Sequence, residues 1–520
     1  MSQGKKYAVI DVFAGPGGLS EGFIQREKTF GPFVAIEKDP ISCRTLKLRK
    51  IFHLIKNKKE VNSEYLQFLM NQSNLDEILD LPKHKELKKI LDDCIWNHEL
   101  GTLDSKQTSK EIRKRLKNQG WDEKKNDGII LIGGPPCQAY SLAGRSRRSQ
   151  MAKSGEYNPL EDERNFLYKK YLDLVIELKP KIFAMENVPG ILSARIEDEL
   201  IFSKILKDLE NPDQDRNTPN SFYKLFPLCG QKELILQNKD FSINCQDFGI
   251  PQARKRVIVM GIREDLNVNK IPLLKKTRPI FVKDVLKDLP KLRSGISKLN
   301  GEKTDDLEDI WKHSFTRWSS KELNSLSLKQ KIKFNEFREK ILKFDFREGR
   351  GRDILRKNRS DIGKSYHSTM SQWIVDSSFQ YHLNCQTRSH MNSDLKRYLF
   401  NVIFSKLNNK APLLKDYPQH LLPRHKSRLT GYQDRFRTLI NDKPSATITS
   451  HISKDGHAFI HPDPLQCRSL TVREAARIQT FPDNYFFSGN RTQQYAQVGN
   501  AVPPFLSYQI SGIIEEIILN

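Results

Sequence analysis

The sequence predicts an α/β fold built around a mostly parallel sheet, and two observations support this prediction. Four short apolar runs have the length of buried strands, and each is followed by a turn or a loop; they span residues 7–13, 33–36, 129–132 and 181–185. Helical patterns separate these runs, and one pattern over 167–178 places on a single face the side chains of Leu167, Tyr171, Leu174, Val175 and Leu178. Alternating strands and helices favour parallel strands whose carboxyl ends hold ligands.

Two stretches interrupt this alternation. Residues 51–126 are rich in Lys, Asn and Glu, and we interpret them as a helical insertion between the second and third strands. Residues from about 275 to 465 are basic, aromatic and irregular, which is typical of a separate recognition domain. We therefore expect a first domain over 1–275, a smaller second domain over 276–484, and a return to the first domain over 485–520.

The charge of the chain favours a polyanionic partner. The 520 residues include 87 Lys and Arg against 63 Asp and Glu, a formal net charge of +24. Nucleic acid is the commonest partner for such an excess, although a solvated lysine-rich surface has the same composition. The chain has no signal peptide and no apolar run of ~18 residues, so we expect a cytoplasmic protein without a membrane partner.

The cysteines argue against a disulfide framework and against a metal site. The 7 cysteines are scattered and include no CxxC pair, as expected for reduced thiols. His451, His457, His461 and Cys467 lie close in sequence, but their spacing matches no common zinc pattern. We predict no metal.

A glycine turn follows the first strand. Gly15, Gly17 and Gly18 lie between that strand and a helix, where glycine lets the backbone turn tightly and approach a ligand. Glu37 ends the second strand, where an acidic side chain can bond ribose hydroxyls. The pattern indicates a nucleotide-like ligand, although such glycine turns are often structural.

The turn after the third strand is more specific. It is Gly133-Gly134-Pro135-Pro136-Cys137, in which two prolines fix the backbone ahead of a single cysteine. An isolated cysteine in a turn is usually structural. Here Glu186 follows the next strand, and Arg254 and Arg256 lie at the start of a further strand. A nucleophile, a carboxyl group and two cations could therefore converge.

Taken together, six segments resemble the cytosine-5 DNA methyltransferase family, in the family's order. They are residues 11–18 (DVFAGPGG), 133–141 (GGPPCQAYS), 186–188 (ENV), 252–256 (QARKR), 470–482 (LTVREAARIQTFP) and 499–504 (GNAVPP). The similarity covers 7–50, 127–262 and 440–515. It implies a doubly wound, Rossmann-like fold of the S-adenosylmethionine-dependent methyltransferases, with a smaller target-recognition domain.

The resemblance implies methyl transfer from S-adenosylmethionine to C5 of a flipped cytosine in a specific double-stranded DNA sequence. Cys137 would attack C6 of the base as a thiolate, Glu186 would act at N3, and Arg256 or Arg254 would stabilise charge at O2; we favour Arg256. The cofactor pocket would comprise Phe13, Gly15, Gly17, Gly18, Leu19, Glu37, Pro135, Leu167, Asn500 and Ala501.

One departure from the family concerns the residues around the adenine of S-adenosylmethionine. Lys38 occupies the position at which family members often carry an aromatic residue that stacks on the adenine ring. The usual acidic residue after a further strand is hard to locate, and residues 98–101 (HELG) are the best candidate. We expect this pocket to be built differently.

The resemblance also implies contacts with DNA and a biological setting. The loop that follows the nucleophile contains Ser141, Arg145, Arg147 and Arg148, and its residue types suit closure over DNA phosphate, although an ordinary basic surface loop has the same composition. In the second domain, Arg424 and Arg428 are candidate DNA contacts. We expect a monomeric, nucleoid-associated bacterial restriction–modification enzyme with a cognate restriction endonuclease that acts on the same site.

Three other classes of protein share parts of this pattern. A tRNA cytosine-5 methyltransferase shares much of the motif set but usually has a small recognition segment. A non-catalytic DNA-binding regulator would have lost the cysteine, the glutamate or the glycine turn. A dinucleotide oxidoreductase would not explain Pro-Pro-Cys beside Glu-Asn-Val.

Overall fold

The computed structural model describes residues 6–56, 61–136, 167–196, 199–213, 222–230, 237–297, 307–316, 318–357, 368–423 and 433–519. The chain divides into two compact units. The first comprises 1–248, 254–278 and 501–520, and the second comprises 249–253 and 279–500.

A twisted sheet organises the first unit. The strands of this unit are β1 (Tyr7–Val12), β2 (Phe30–Glu37), β3 (Ile95–Asn97), β4 (Gly128–Gly133), β5 (Ile182–Asn187), β6 (Arg195–Ile196), β7 (Glu199–Leu200), β8 (Tyr223–Phe226), β9 (Ser242–Asn244) and β10 (Lys255–Arg263). Strands β6 and β7 pair with each other in a separate two-stranded sheet. The main sheet has the order β3-β2-β1-β4-β5-β10-β8, with β9 also paired to β10. Its first five strands are parallel, and β10 is antiparallel to its neighbours. The predicted mostly parallel sheet is confirmed.

Helices flank this sheet. They are α1 (Gly18–Ile24), α2 (Pro40–Ile55), α3 (Val61–Met70), α4 (Leu75–Leu79), α5 (Lys85–Cys94), α6 (Ser105–Asn118), α7 (Leu167–Leu178) and α8 (Ile201–Glu210). Short 3-10 helices occupy Gln72–Asn74, Pro82–His84, Pro189–Ser193, Asn238–Phe241, Cys245–Phe248 and Glu264–Leu266. The predicted face of α7 is buried at four positions, and Leu167 is only partly buried. This face packs on apolar side chains of β1, β4 and β5.

The interpretation of residues 51–126 as a single insertion is wrong. They contain β3, which pairs in parallel with β2 and forms the edge of the sheet. They also contain α6, whose Ile112 and Leu116 belong to the sheet's core. A strand of three residues, Ile-Trp-Asn, is too short to show an alternating pattern, so the prediction missed it.

The second unit is mainly helical. Its helices are α9 (Val282–Leu286), α10 (Glu308–Thr316), α11 (Ser320–Asn324), α12 (Leu328–Lys343), α13 (Ser368–Ile374), α14 (Asn392–Asn408), α15 (Val472–Ile478) and α16 (Arg491–Asn500), with 3-10 helices at Leu414–Asp416, Gln419–Leu421 and Ser450–Ser453. Short strands pair two by two: β11 (Gly295–Ile296) with β14 (Ser389–His390), and β12 (Ile354–Arg356) with β13 (Tyr381–Leu383). An aromatic core around Trp311 and Tyr398 holds the unit together.

Buried arginines brace this unit at the segment 468–483. Arg468 donates to both carboxylate oxygens of Glu474 at 2.7 Å. Arg473 donates to the carbonyls of Leu383 at 2.8 Å and Pro482 at 2.9 Å. Arg468 also donates to the carbonyl of Leu292 at 2.9 Å, so each guanidinium joins this segment to another part of the unit. Such buried cations are tolerated because they are paired and hydrogen-bonded.

The final helix, α17 (Pro504–Leu519), returns to the first unit and packs on α1. A methyl group on Gly22 would overlap the backbone of Ser507, so only glycine permits this close approach. The return begins at Ala501 rather than at the expected residue 485, because α16 is part of the second unit. Within the parts of the chain that the structure describes, no helix has the length and apolar character needed to cross a membrane.

Candidate active site

The glycine turn after β1 is locked to the end of β2. Phe13, Gly15 and Gly17 have left-handed φ angles of 57°, 54° and 90°. The amide of Gly15 donates to Glu37 Oε2 at 2.8 Å, and the amide of Asp39 donates to Glu37 Oε1 at 2.8 Å. Apart from Gly15 and its two chain neighbours, no described residue has an atom within 4 Å of where a Cβ of Gly15 would stand. The turn therefore offers open space beside a fixed carboxylate.

The C-terminal segment meets the other end of this turn. A methyl group on Gly18 would overlap the carbonyl of Val502. The hydroxyl of Ser507 donates to the carbonyl of Leu19. Val502 and Ser507 thus pack directly on the residues that end the glycine turn, and Val502 was not among the predicted site residues.

Ala501 and Asn500 differ in their surroundings. Ala501 is buried, and its carbonyl accepts a hydrogen bond from Arg254 Nη2 at 2.8 Å. Asn500 is the exposed last residue of α16 in the second unit. Its contact with a cofactor stays a prediction.

Asp11 is a candidate binding residue that sequence reasoning did not assign. It lies within β1 and is buried, and its Oδ2 accepts hydrogen bonds from the amide (3.2 Å) and hydroxyl of Ser20. Its Oδ1 has no hydrogen-bond partner among the described residues. Burial raises the pKa of Asp11 to about 7, although the Ser20 bonds oppose this shift. The sequence did contain a signal for this residue, because an acidic side chain within an otherwise apolar strand is unusual.

Strand β3 lies beside the end of β2 that carries Glu37. Asn97 Nδ2 donates to the carbonyls of Glu37 at 3.0 Å and Lys38 at 2.9 Å. Lys38 Nζ lies 2.9 Å from Glu99 Oε1, and both side chains are exposed. The ring of Trp96 stacks on His98 with centroids 4.2 Å apart. Glu99, within the candidate segment 98–101, therefore follows the strand next to β2.

The turn that leads to Cys137 passes directly over Glu186. A Cβ on Gly134 would lie 2.8 Å from Glu186 Oε2, so glycine keeps this position clear. Pro135 is buried in the same turn. The predicted nucleophile and several predicted DNA contacts lie outside the described residues, namely Cys137, Ser141, Arg145, Arg147, Arg148, Arg424 and Arg428.

Glu186 and Arg256 form an ion pair. Arg256 Nε lies 2.6 Å from Glu186 Oε1, with side chains 11% and 14% exposed respectively. Strand β5 extends further than predicted and includes Glu186, which pairs with Ile258 of β10. The sheet, rather than a loop, thus fixes the carboxylate, and both side chains keep only a small exposed fraction.

Arg254 plays a different part from Arg256. Its side chain is fully buried, and burial together with the neighbouring Arg256 charge lowers its pKa. Its backbone carbonyl accepts a hydrogen bond from the amide of Cys245 at 2.8 Å. The Cys245 thiol is buried, and burial raises its pKa to about 11, so it is a poor nucleophile.

This arrangement corresponds to a known family. A profile for the C-5 cytosine-specific DNA methylases matches residues 96–213 and 237–516. The chain belongs to this family. It is a DNA (cytosine-5-)-methyltransferase, as the resemblance implied.

Relatives of this methyltransferase cover its whole length. It is 32% identical over 523 residues to the Type II methyltransferase M.Bpa9945I of Bacillus paralicheniformis, with 98% of this chain and 99% of that protein covered. It is 24% identical over 521 residues to the Type II methyltransferase M.DdeI of Desulfomicrobium norvegicum, covering 97% of this chain and 87% of that one.

A solved structure shares the fold of the methyltransferase. It is the crystal structure of a candidate DNA modification methyltransferase encoded within an E. coli prophage, with a TM-score of 0.51 and 19% identity. The comparison covers 99% of this chain and 100% of that one. The predicted Rossmann-like fold is confirmed.

Two members of the His and Cys group in the second unit, His457 and Cys467, have separate partners. His457 Nδ1 lies 2.6 Å from the Tyr398 hydroxyl, and Cys467 Sγ donates to the carbonyl of Pro464 at 3.0 Å. Among the described residues, no group of His, Cys, Asp and Glu side chains is arranged to hold a metal ion.

Proposed function

We propose that this methyltransferase uses S-adenosylmethionine to methylate C5 of a cytosine that is flipped out of a specific double-stranded DNA sequence. The observation that carries the proposal is the Glu186–Arg256 ion pair beneath the turn that leads to Cys137. Flipping is required because C5 and C6 are hidden in a stacked duplex.

The residues around the glycine turn fit this cofactor. The open space at Gly15 can admit a ligand close to the backbone, and the Glu37 carboxylate beside it can accept hydrogen bonds from ribose hydroxyls. The buried Oδ1 of Asp11 can accept a hydrogen bond from an ammonium group. When bound, S-adenosylmethionine supplies an electrophilic methyl group.

The protein's own groups prepare the base. The Cys137 thiolate forms a bond to C6, and the displaced electron pair makes C5 nucleophilic. Glu186 donates a proton or a strong hydrogen bond at N3, while Arg256 stabilises the charge that develops at O2. After C5 takes the methyl group, it loses its proton to a base, and the C6–sulfur bond breaks to release the thiolate.

The ion pair serves this chemistry by orientation. Arg256 approaches one carboxylate oxygen, Oε1, of Glu186, and Gly134 leaves the other oxygen, Oε2, uncovered by a side chain. Arg254 is a positioning residue, because its buried guanidinium ties the start of β10 to the carbonyl of Ala501. The different contacts of Arg254 and Arg256 support Arg256 as the residue that contacts O2 of the flipped cytosine.

We propose that the second unit recognises the target DNA sequence. Relatives of the whole chain are named Type II methyltransferases, which supports a role in restriction–modification. We propose that the enzyme is a monomer in the bacterial cytoplasm, acts at the nucleoid, and protects sites that a cognate restriction endonuclease cleaves.

The decisive experiment uses duplexes that contain 5-fluorocytosine. The wild-type chain with S-adenosylmethionine should form a covalent adduct, because fluorine cannot leave as a proton does, and Cys137→Ala should form none. Bisulfite sequencing of a plasmid methylated in vitro then identifies the target. Adduct formation by Cys137→Ala, or methylation of tRNA in place of duplex DNA, would contradict the proposal.

A further inference from the structure

The second unit presents a short polar loop, residues 449–455, which we call the 449–455 loop. It contains the 3-10 helix Ser450–Ser453. Its exposed side chains are those of Thr449, His451, Lys454 and Asp455, whereas Ile452 is 1% exposed and anchors the loop. The loop thus exposes side chains that can form hydrogen bonds, while buried Ile452 anchors its backbone.

Helix α16 supports one side of this loop. A methyl group on Gly499 would overlap the backbone of Thr449 and Ser450, so glycine allows the loop to lie directly on the helix. Close packing of this kind fixes backbone position, because protein interiors tolerate little displacement.

Arg388 holds the other side of the loop. Its Nη2 donates to the carbonyl of Ile452 at 2.7 Å, and its Nη1 donates to the carbonyl of Lys454 at 3.1 Å. Its guanidinium carbon lies 4.4 Å from the ring centroid of Tyr495 in α16. Over the described ranges, no carboxylate pairs with Arg388. Its planar fork is therefore committed to loop carbonyls and to one aromatic face, a geometry that lysine cannot reproduce.

We propose that Arg388 is a positioning residue for DNA sequence recognition: by clamping the 449–455 loop, it sets the positions from which Thr449, His451 and Lys454 contact base edges. This inference rests on the proposed function. A hydroxyl, an imidazole and an ammonium group can each bond the acceptors or donors that bases present in the major groove. Such contacts discriminate only when the backbone that carries them is held rigidly.

The contacts of Arg388 distinguish this role from phosphate binding. Both terminal nitrogens already donate to carbonyls of the loop. Replacing Arg388 should therefore change which sequence is methylated, whereas loss of a phosphate contact would weaken binding to all sequences alike and lower its salt dependence.

The experiment compares full-length variants on a library of duplexes with randomised sites, read by bisulfite sequencing after methylation. Arg388→Lys keeps the charge and loses the fork, and Arg388→Met removes both. The matched control is Arg491→Met, because Arg491 is also half-buried and donates to a carbonyl, that of Thr387, outside the loop. Thermal unfolding of each variant is measured in parallel.

We expect both Arg388 variants to lose about ten-fold or more of the preference for the best site, as loss of a base contact does. Arg491→Met should keep the wild-type preference even if it unfolds at a lower temperature. His451→Ala should relax a subset of the same positions. If folded Arg388→Lys keeps the wild-type preference, the proposal is overturned, and this variant decides the question should Arg388→Met fail to fold. Absence of methylation by the wild type would instead overturn the proposed function, and this inference with it.

Discussion

Arg256 Nε lies 2.6 Å from Glu186 Oε1 across two antiparallel strands of the central sheet. The pairing of β5 with β10 sets this distance, so the pair is part of the sheet rather than of a loop. The sheet thereby holds together a carboxyl group and a guanidinium that are far apart in sequence. The first prediction tests whether this ion pair is needed for methyl transfer.

Glu186→Gln keeps a hydrogen-bonding group but loses the acid. The rate of methyl transfer in a single turnover should fall by ~10² to 10⁴, the range for positioned acid–base groups. Arg256→Lys should also slow transfer, because an ammonium group cannot reproduce the fork of a guanidinium. The adjacent exposed Lys255 supplies the control, and Lys255→Met should leave the rate largely unchanged. Equal rates for wild type and Glu186→Gln would make the glutamate structural.

The second prediction concerns the buried carboxyl of Asp11. Its pKa is raised to about 7 in the folded chain, so the folded state holds a proton that the unfolded state releases above pH ~4. The free energy of unfolding of the wild type should therefore decrease as pH rises from ~4 to ~7, by at most roughly 4 kcal/mol. Asp11→Asn should lack this component, as measured by urea titration at several pH values.

A bound ligand provides the control for Asp11. S-adenosylhomocysteine carries an ammonium group that would donate to Oδ1 and favour the ionised carboxylate. Saturating S-adenosylhomocysteine should weaken the pH dependence of the free energy of unfolding of the wild type. It should leave the pH dependence of Asp11→Asn unchanged. Persistence of the full dependence in the complex would show that the ligand does not reach Asp11.

These two sites show what the sequence could and could not predict. Gly134 and Glu186 were correctly assigned to neighbouring strand ends, because parallel strands bring their carboxyl ends to one edge. The pairing of Arg256 with Glu186, and the burial of Arg254, depend on which strand lies beside β5. Strand β10 lies beside β5 in the reverse direction, an arrangement that apolar patterns do not reveal.

Other features could not be predicted from the sequence because they depend on close packing. Val502 covers Gly18, and Gly499 meets the 449–455 loop, through contacts between segments far apart in sequence. The edge strand β3 is too short for periodicity to indicate. The end of the second unit at Asn500 likewise reflects the packing of α16, which no change in composition marks.

The third prediction concerns the stability of the second unit. Arg477 donates to Asp483 at 2.8 and 2.7 Å and to Asp288 at 2.5 and 3.0 Å, and its side chain is 2% exposed. Asp483→Asn should lower the free energy of unfolding by ~3–5 kcal/mol, because it removes one partner of a buried charge. Lys340→Ala, which breaks the exposed Lys340–Glu336 pair, should have no measurable effect. Urea unfolding monitored by tryptophan fluorescence checks both, and equal midpoints would contradict the assigned role.

The last prediction concerns the proposed adenine side of the cofactor site, near which Lys38 and Glu99 pair at 2.9 Å. Both side chains are exposed, so the pair itself contributes little to stability. Lys38→Trp would replace it with an aromatic face, and stacking of a base on such a face is worth ~1–3 kcal/mol. Calorimetric titration with S-adenosylhomocysteine should therefore show binding at least roughly five-fold tighter for this variant. Lys38→Met separates the two effects, because it breaks the ion pair without adding a ring and should leave affinity near the wild-type value. Tighter binding by Lys38→Met as well would mean that removal of charge, rather than stacking, controls affinity at this position.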